Sequence, residues 1–176
     1  MPAMPDTSAV PAHLKTLLDC CEGQAPEAML RDFVMFTPTP HVIQTQNGVR
    51  IYTRCALDTF LAAWILDENI DIETTPPSQT QPLQLAFRNG QLQAPTEALM
   101  ALPTQPETQT SADVHRSFCP YTLVFSGIES DQVWSATAPV PTTPVTLQNA
   151  FQLAHTLIDR LTHLHTLNGK AGVQCC

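Results

Sequence analysis

The chain has 176 residues, 43 % of them hydrophobic and only 14 % charged, with a formal charge of −8. Eight Lys and Arg in all exclude the clustered basic surface that a phosphate backbone requires, so nucleic acid is not an expected partner. The length fits one domain with a real core; no apolar run approaches the ~18 residues that span a bilayer, and the opening MPAMPDTSAV lacks the basic and apolar parts of a secretory signal, which together predict a cytoplasmic protein without membrane association.

The first ten residues are expected to be disordered. In AHLKTLLDCC, Leu14, Leu17, Leu18 and Cys21 recur at helical spacing and predict a short helix ending near Gly23. A second helix is expected over APEAMLRDFVMF, with Pro26 in its first turn, Met29, Leu30, Phe33 and Phe36 on one side, and TPTP at 37–40 stopping it. These two helices make a short helical N-terminal region, 1–40, ahead of a domain over 41–176 that ends in a flexible tail.

Asn47-Gly48 between β-rich runs in HVIQTQNGVRIYTRC predicts a hairpin, and Asn89-Gly90 in LQLAFRNGQLQA predicts a second. Between them CALDTFLAAWIL reads as a helix from Cys55 to Leu66, and IDIETT as a strand. Residues 95–110, rich in Pro, Thr and Gln, are expected to be a surface connection. HRSFCPYTLVFSG reads as a strand with Pro120 at an edge, bulge or bend, and TAPVPTTPVT as an extended connector. The last helix carries Phe151, Ala154, Leu157, Ile158, Leu161 and Leu164 at helical spacing, with Thr146 as N-cap and Gly169 past its end. The fold class is α+β: a small antiparallel sheet with packed helices.

Six cysteines in a reducing compartment are free thiols rather than a disulfide framework. No CxxC or Cys/His ladder has zinc spacing. Cys20-Cys21, placed in the first helix, and Cys175-Cys176, in the tail, are adjacent pairs; Cys55 and Cys119 stand alone. One helical turn separates Cys55 from Asp58, so both side chains can reach one point. A helix N-terminus and the neighbouring Arg54 would favour a Cys55 thiolate. Read alone, Cys55 is more readily a small core hydrophobe, and Asp58 a first-turn acid. His155, His163 and His165 share a helix without forming a ligand face. His115, four residues before Cys119, is placed to tune a thiol but stands outside the catalytic set.

YTRCALDT, followed about sixty residues on by VHRSFC, then Trp134 and a helix carrying NAF, resembles the organomercurial (alkylmercury) lyases over roughly residues 47–165. The resemblance implies that Cys55 and Cys119 capture the metal and that Asp58 handles a proton, the activity being protonolysis of the carbon–mercury bond of R–Hg(II) to give R–H and Hg(II). The chemistry suits the residues: soft thiolates select soft metals, and a carboxyl in an apolar pocket becomes a general acid. Phe60, Trp64, Phe118 and Trp134 are the side chains expected to supply that pocket.

No cofactor is implied, because Hg(II) is substrate and product. The implied partners are organomercurial small molecules, with cellular thiols or a mercuric reductase as Hg(II) acceptor; Cys175 and Cys176 would pass the product on, as the C-terminal pair of mercuric reductases does. The alternative is a non-catalytic carrier of Hg(II) or Cu(I) on the same scaffold, for which Asp58 would have no use. The chain departs from the family pattern in lacking a cysteine between 55 and 119, in having Pro120 after Cys119, and in an N-terminal region shorter than the family's winged-helix-like domain.

Overall fold

Helix α1 (Pro26–Phe33) begins on proline, whose missing N–H costs nothing in a first turn, and buries Met29 and Phe33. The structure, a computed structural model, describes residues 25–107 and 109–169; the helix expected before Gly23 lies outside them. The expected continuation of α1 to Phe36 does not occur. Val34 turns extended, and β1 (Val34–Met35) pairs with the later strand β3 through Val34↔Thr53 and Met35↔Tyr52. A β-branched residue and the Thr-Pro repeat behind it favour that conformation, and Phe36 is left fully exposed.

Strands β2 (His41–Gln44) and β3 (Arg50–Thr53) form the first expected hairpin, with Gly48 at φ 79° in its loop. Helix α2 (Ala56–Leu66) follows, and then β4 (Ile70–Thr74), which buries Ile70, Ile72 and Thr74 and turns Asp71 outward. Strands β5 (Leu83–Arg88) and β6 (Gln91–Gln93) make the second hairpin; Asn89 and Gly90 between them both take positive φ, 51° and 78°, the twist that a two-residue loop requires. Together these strands form an antiparallel sheet in the order β1-β3-β2-β4-β5-β6.

The second half differs from the reading of the sequence. Residues 95–110 are not a surface connection: β7 (Leu99–Pro103) is the middle strand of a second antiparallel sheet, with Met100, Ala101 and Leu102 wholly buried. A central strand covered on both sides has no alternation to betray it. HRSFCPYTLVFSG is mostly not a strand. Helix α3 (Ser111–Ser117) opens on a capping box in which Thr110 Oγ1 accepts from the Asp113 N–H at 3.1 Å and Asp113 Oδ2 from the Thr110 N–H at 3.0 Å. A 3₁₀ turn (Cys119–Tyr121) carries Pro120, so only β8 (Leu123–Phe125) is extended.

Helix α4 (Ile128–Ser135) has no apolar face to read, since Ile128 and Val133 are exposed. The proline-rich connector turns and bends over residues 137–140 instead of running extended throughout, and its end is the edge strand β9 (Thr142–Thr146), paired with β7 and tolerating Pro144. Helix α5 (Leu147–Gly169) starts where Thr146 Oγ1 accepts from the Asn149 N–H at 3.1 Å. The second sheet has the order β8-β7-β9. Among the described residues no helix is long and apolar enough to cross a membrane.

Helix α2 sits at the centre. Ala56 through Ala63 are all buried, as expected of a helix apolar on every side, and Phe60 meets Phe151 of α5 edge-on at 5.5 Å between ring centroids. Its position puts the first turn, with the only buried acid of the helix, inside the core.

A buried polar pair ties the first sheet together: His41 Nδ1 lies 2.9 Å from Thr74 Oγ1 across β2 and β4. Burial holds the imidazole neutral, lowering its pKa from 6.5 to about 4. A depressed histidine pKa means that the unfolded chain binds a proton first, so this contribution to stability is complete above pH 6.5 and is lost as the pH falls toward 4. The stability gap between wild type and His41→Gln is therefore expected to narrow by up to ~2 kcal/mol from pH 8 to pH 5, measured by urea unfolding at the two pH values; a gap independent of pH would contradict a neutral buried His41.

Candidate active site

Cys55 is the N-cap of α2, in extended conformation (φ −142°, ψ 173°), and Asp58 is its N3 residue. The spacing reproduces a capping box: Asp58 Oδ2 accepts the Cys55 backbone N–H at 2.9 Å, one of the donors that a helix start leaves unpaired. Thr53 Oγ1 donates to the Cys55 carbonyl at 3.0 Å, fixing the residue from the strand side. Local sequence alone thus brings a thiol and a carboxylate to one place.

Cys119 reaches the same place through the 3₁₀ turn. Thr122 Oγ1 donates to the Phe118 carbonyl at 2.8 Å, the Thr122 N–H donates to the Cys119 carbonyl at 3.3 Å, and the Thr122 carbonyl accepts the Ala56 N–H at 3.3 Å. That last bond docks the turn on the start of α2. Thr122 is wholly buried and has no signature in the sequence, because its role lies in a carbonyl meeting a distant helix end.

The outcome is that one ligand atom each from Cys55, Asp58 and Cys119 lies within 4.8 Å of the others. Among the described residues no other three Cys, His, Asp or Glu side chains cluster this way. The three are 1 %, 6 % and 5 % exposed, and both thiols are free. Such a set can grip one soft ion with two sulfurs while a carboxyl stands beside it.

Burial dominates the proton affinities. It raises the Asp58 pKa from 3.8 to about 7, against the bonds from Cys55 and the nearby Arg54 charge that pull it down. The Cys55 thiol is pushed well up, by burial first, then by its hydrogen bond with Cys119 and by the Asp58 charge. The expected thiolate at the helix N-terminus is therefore not the resting state: desolvation outweighs the helix dipole, which is worth only ~0.3–2 kcal/mol. Arg54 points its guanidinium elsewhere, Nη2 donating to the Asp32 carbonyl at 3.2 Å.

The other sequence candidates are distributed differently. Phe60 and Phe118 are buried next to the site in sequence. Trp64 lies roughly 9 Å further along the α2 axis than Asp58; its indole N–H donates to the Phe151 carbonyl and its ring packs on His155 at 4.1 Å. Trp134 packs on Phe125 at 5.3 Å. Trp64 thus packs α2 against α5, and Trp134 packs α4 against β8. His115 faces α1, with Nε2 at 3.1 Å from Asp32 Oδ2, so it does not meet Cys119. The Cys20-Cys21 and Cys175-Cys176 pairs lie outside the described residues.

Fold and site define a class: an α+β protein with a buried dithiol and an adjoining carboxyl of near-neutral pKa. The family model for alkylmercury lyase matches residues 36–159. The chain belongs to that family. It is 30 % identical over 126 residues to an alkylmercury lyase of Pseudomonas putida, covering 70 % of this chain and 57 % of that one. To an alkylmercury lyase of Streptomyces lividans it is 26 % identical over 141 residues, 79 % of this chain and 61 % of the other. It thus spans about three fifths of the length of these curated relatives. The crystal structure of the mercury-bound form of MerB2 shares the fold, with a TM-score of 0.62 and 17 % identity over 90 % of this chain and 93 % of that one.

Proposed function

We propose that this chain is an organomercurial lyase, converting R–Hg(II) to R–H and thiolate-bound Hg(II), with Cys55 and Cys119 as metal-gripping thiols and Asp58 as the proton carrier. The observation that carries the reading is a carboxyl with a pKa near 7 within 4.8 Å of two buried thiols.

One thiol displaces the ligand X of R–Hg–X, its proton leaving as HX. The other bonds to the metal and gives its proton to the Asp58 carboxylate. The resulting acid delivers that proton to carbon; the C–Hg electron pair becomes the C–H bond, and Hg(II) stays on two thiolates. Two sulfur donors push electron density toward the carbon as it departs, and a general acid with a pKa near the working pH is present in both required forms. The scheme draws on no cofactor. External thiols or a mercuric reductase, with Cys175 and Cys176 as an intermediate dithiol, would then remove the metal and return the protons, which suits the reducing cytoplasm.

Reduced protein incubated with phenylmercury or methylmercury is expected to release benzene or methane, read by gas chromatography. Stoichiometric metal uptake without hydrocarbon would replace this reading with that of a metal carrier.

A further inference from the structure

The buried site needs a way in, and one residue joins its two halves from outside. Asp32, at the end of α1, is held twice: its carbonyl accepts from Arg54 Nη2 at 3.2 Å, and its carboxylate Oδ2 lies 3.1 Å from His115 Nε2. Arg54 directly precedes Cys55, and His115 sits one turn before Cys119. The Arg54 N–H also donates to the Phe33 carbonyl at 2.9 Å. The last turn of α1 therefore bridges the two thiol-bearing segments.

We propose that the Asp32–His115 contact is the latch of an access gate: parting it swings the end of α1 away from α3 and admits an organomercurial to Cys55 and Cys119. This rests on the lyase reading for its substrate, though not for its motion. Three observations support it. The latch is solvent-accessible, with Asp32 and His115 side chains 43 % and 23 % exposed beside segments whose thiols are buried, so water can replace their contact at little cost. Closure leaves Arg54 Nε buried without a hydrogen-bond partner, a penalty that opening relieves by hydration. Inside, by contrast, the thiol segments stay joined through the Thr122 carbonyl and the Ala56 N–H, so opening the latch leaves the constellation assembled. The gate thereby sets which R groups pass: a bulky aryl needs it open wider than a methyl does.

The test is site-resolved alkylation of Cys55 and Cys119 by iodoacetamide in the full chain, followed by peptide mass spectrometry in dilute urea. Asp32→Ala and His115→Ala are each expected to speed labelling about 3- to 10-fold, and the double variant no further, because both remove one contact. Asp32→Asn keeps an acceptor oxygen and should stay near wild type. These rates should respond weakly to urea, as local opening does, while the global unfolding midpoint is unmoved. With turnover as readout, kcat/KM for phenylmercury should rise more than for methylmercury. Wild-type labelling rates in both alanine variants, or faster labelling that carries the full urea dependence of global unfolding, would overturn the latch. Absence of hydrocarbon with faster labelling would sink the lyase reading and leave the gate standing.

Discussion

Asp58→Asn is expected to lower hydrocarbon release by about 10²- to 10⁴-fold while making the protein more stable above pH 7. The amide keeps an oxygen that can accept the Cys55 N–H, a bond of 2.9 Å in the native chain, so the start of α2 stays capped. It cannot carry a proton to carbon. For stability, the sign follows from the raised pKa: the folded state holds the Asp58 proton more tightly than the unfolded chain, so its contribution is complete below pH 4 and is lost as the pH rises through about 7. At ~1.4 kcal/mol per pKa unit, the rise from 3.8 to about 7 makes up to ~4 kcal/mol of destabilisation at alkaline pH, which the neutral amide does not suffer. Urea unfolding of both proteins at pH 5 and pH 8.5, beside gas chromatography of the released hydrocarbon, checks the two halves. A variant less stable than wild type at pH 8.5, or one that keeps full turnover, would contradict the assignment.

Cys55→Ser is the second large effect, and here chemistry and folding separate. Serine is a better N-cap than cysteine, and its hydroxyl can bond to the Asp58 carboxyl, so the helix is expected to form at least as well and the urea midpoint to hold. A hydroxyl is a hard ligand and does not grip a soft ion. With a single thiol left at Cys119, electron density on the metal falls and the proton delivered to Asp58 has no source on the helix side. Hydrocarbon release is expected to drop at least ~10³-fold. Bound Hg(II), retained by wild type against a competing dithiol such as dithiothreitol, should be stripped from the variant. Turnover within ten-fold of wild type would remove Cys55 from the chemistry altogether.

A carboxyl that costs stability at high pH suits the proton carrier proposed for Asp58. The same burial acts on both groups: it raises the thiol and the carboxyl together, so the thiol keeps its proton at rest while the carboxyl is divided between its two forms near pH 7. Ionisation then waits for a soft metal to take the sulfur. This differs from a reactive surface cysteine, where a helix N-terminus holds a thiolate ready for any oxidant.

Half of the site was legible in the sequence because that half is local. Cys55 and Asp58 stand one turn apart at the head of an apolar run, and an N-cap with its N3 acid needs no tertiary partner to be recognised. The same locality made the Asn-Gly hairpins and the capping of α5 by Thr146 readable. Cys119 could be named only through family resemblance: the Thr110–Asp113 box is as local a signal as that of Cys55 and Asp58 but went unread beside the strand-forming residues of HRSFCPYTLVF, and the 3₁₀ turn is placed by the docking of Thr122 against Ala56. Strand β7 was hidden for a related reason: a short apolar run enclosed on both sides has no periodicity until its neighbours are placed.

What the sequence by itself determined is which groups are available and that two of them meet at a helix start, because bonds between residues three apart depend on backbone geometry alone. What only the tertiary structure decided is that Cys119 joins them and that all three are dry. The pKa of Asp58 and the proton on Cys55 follow from desolvation, and desolvation belongs to the packed whole rather than to any segment of the chain.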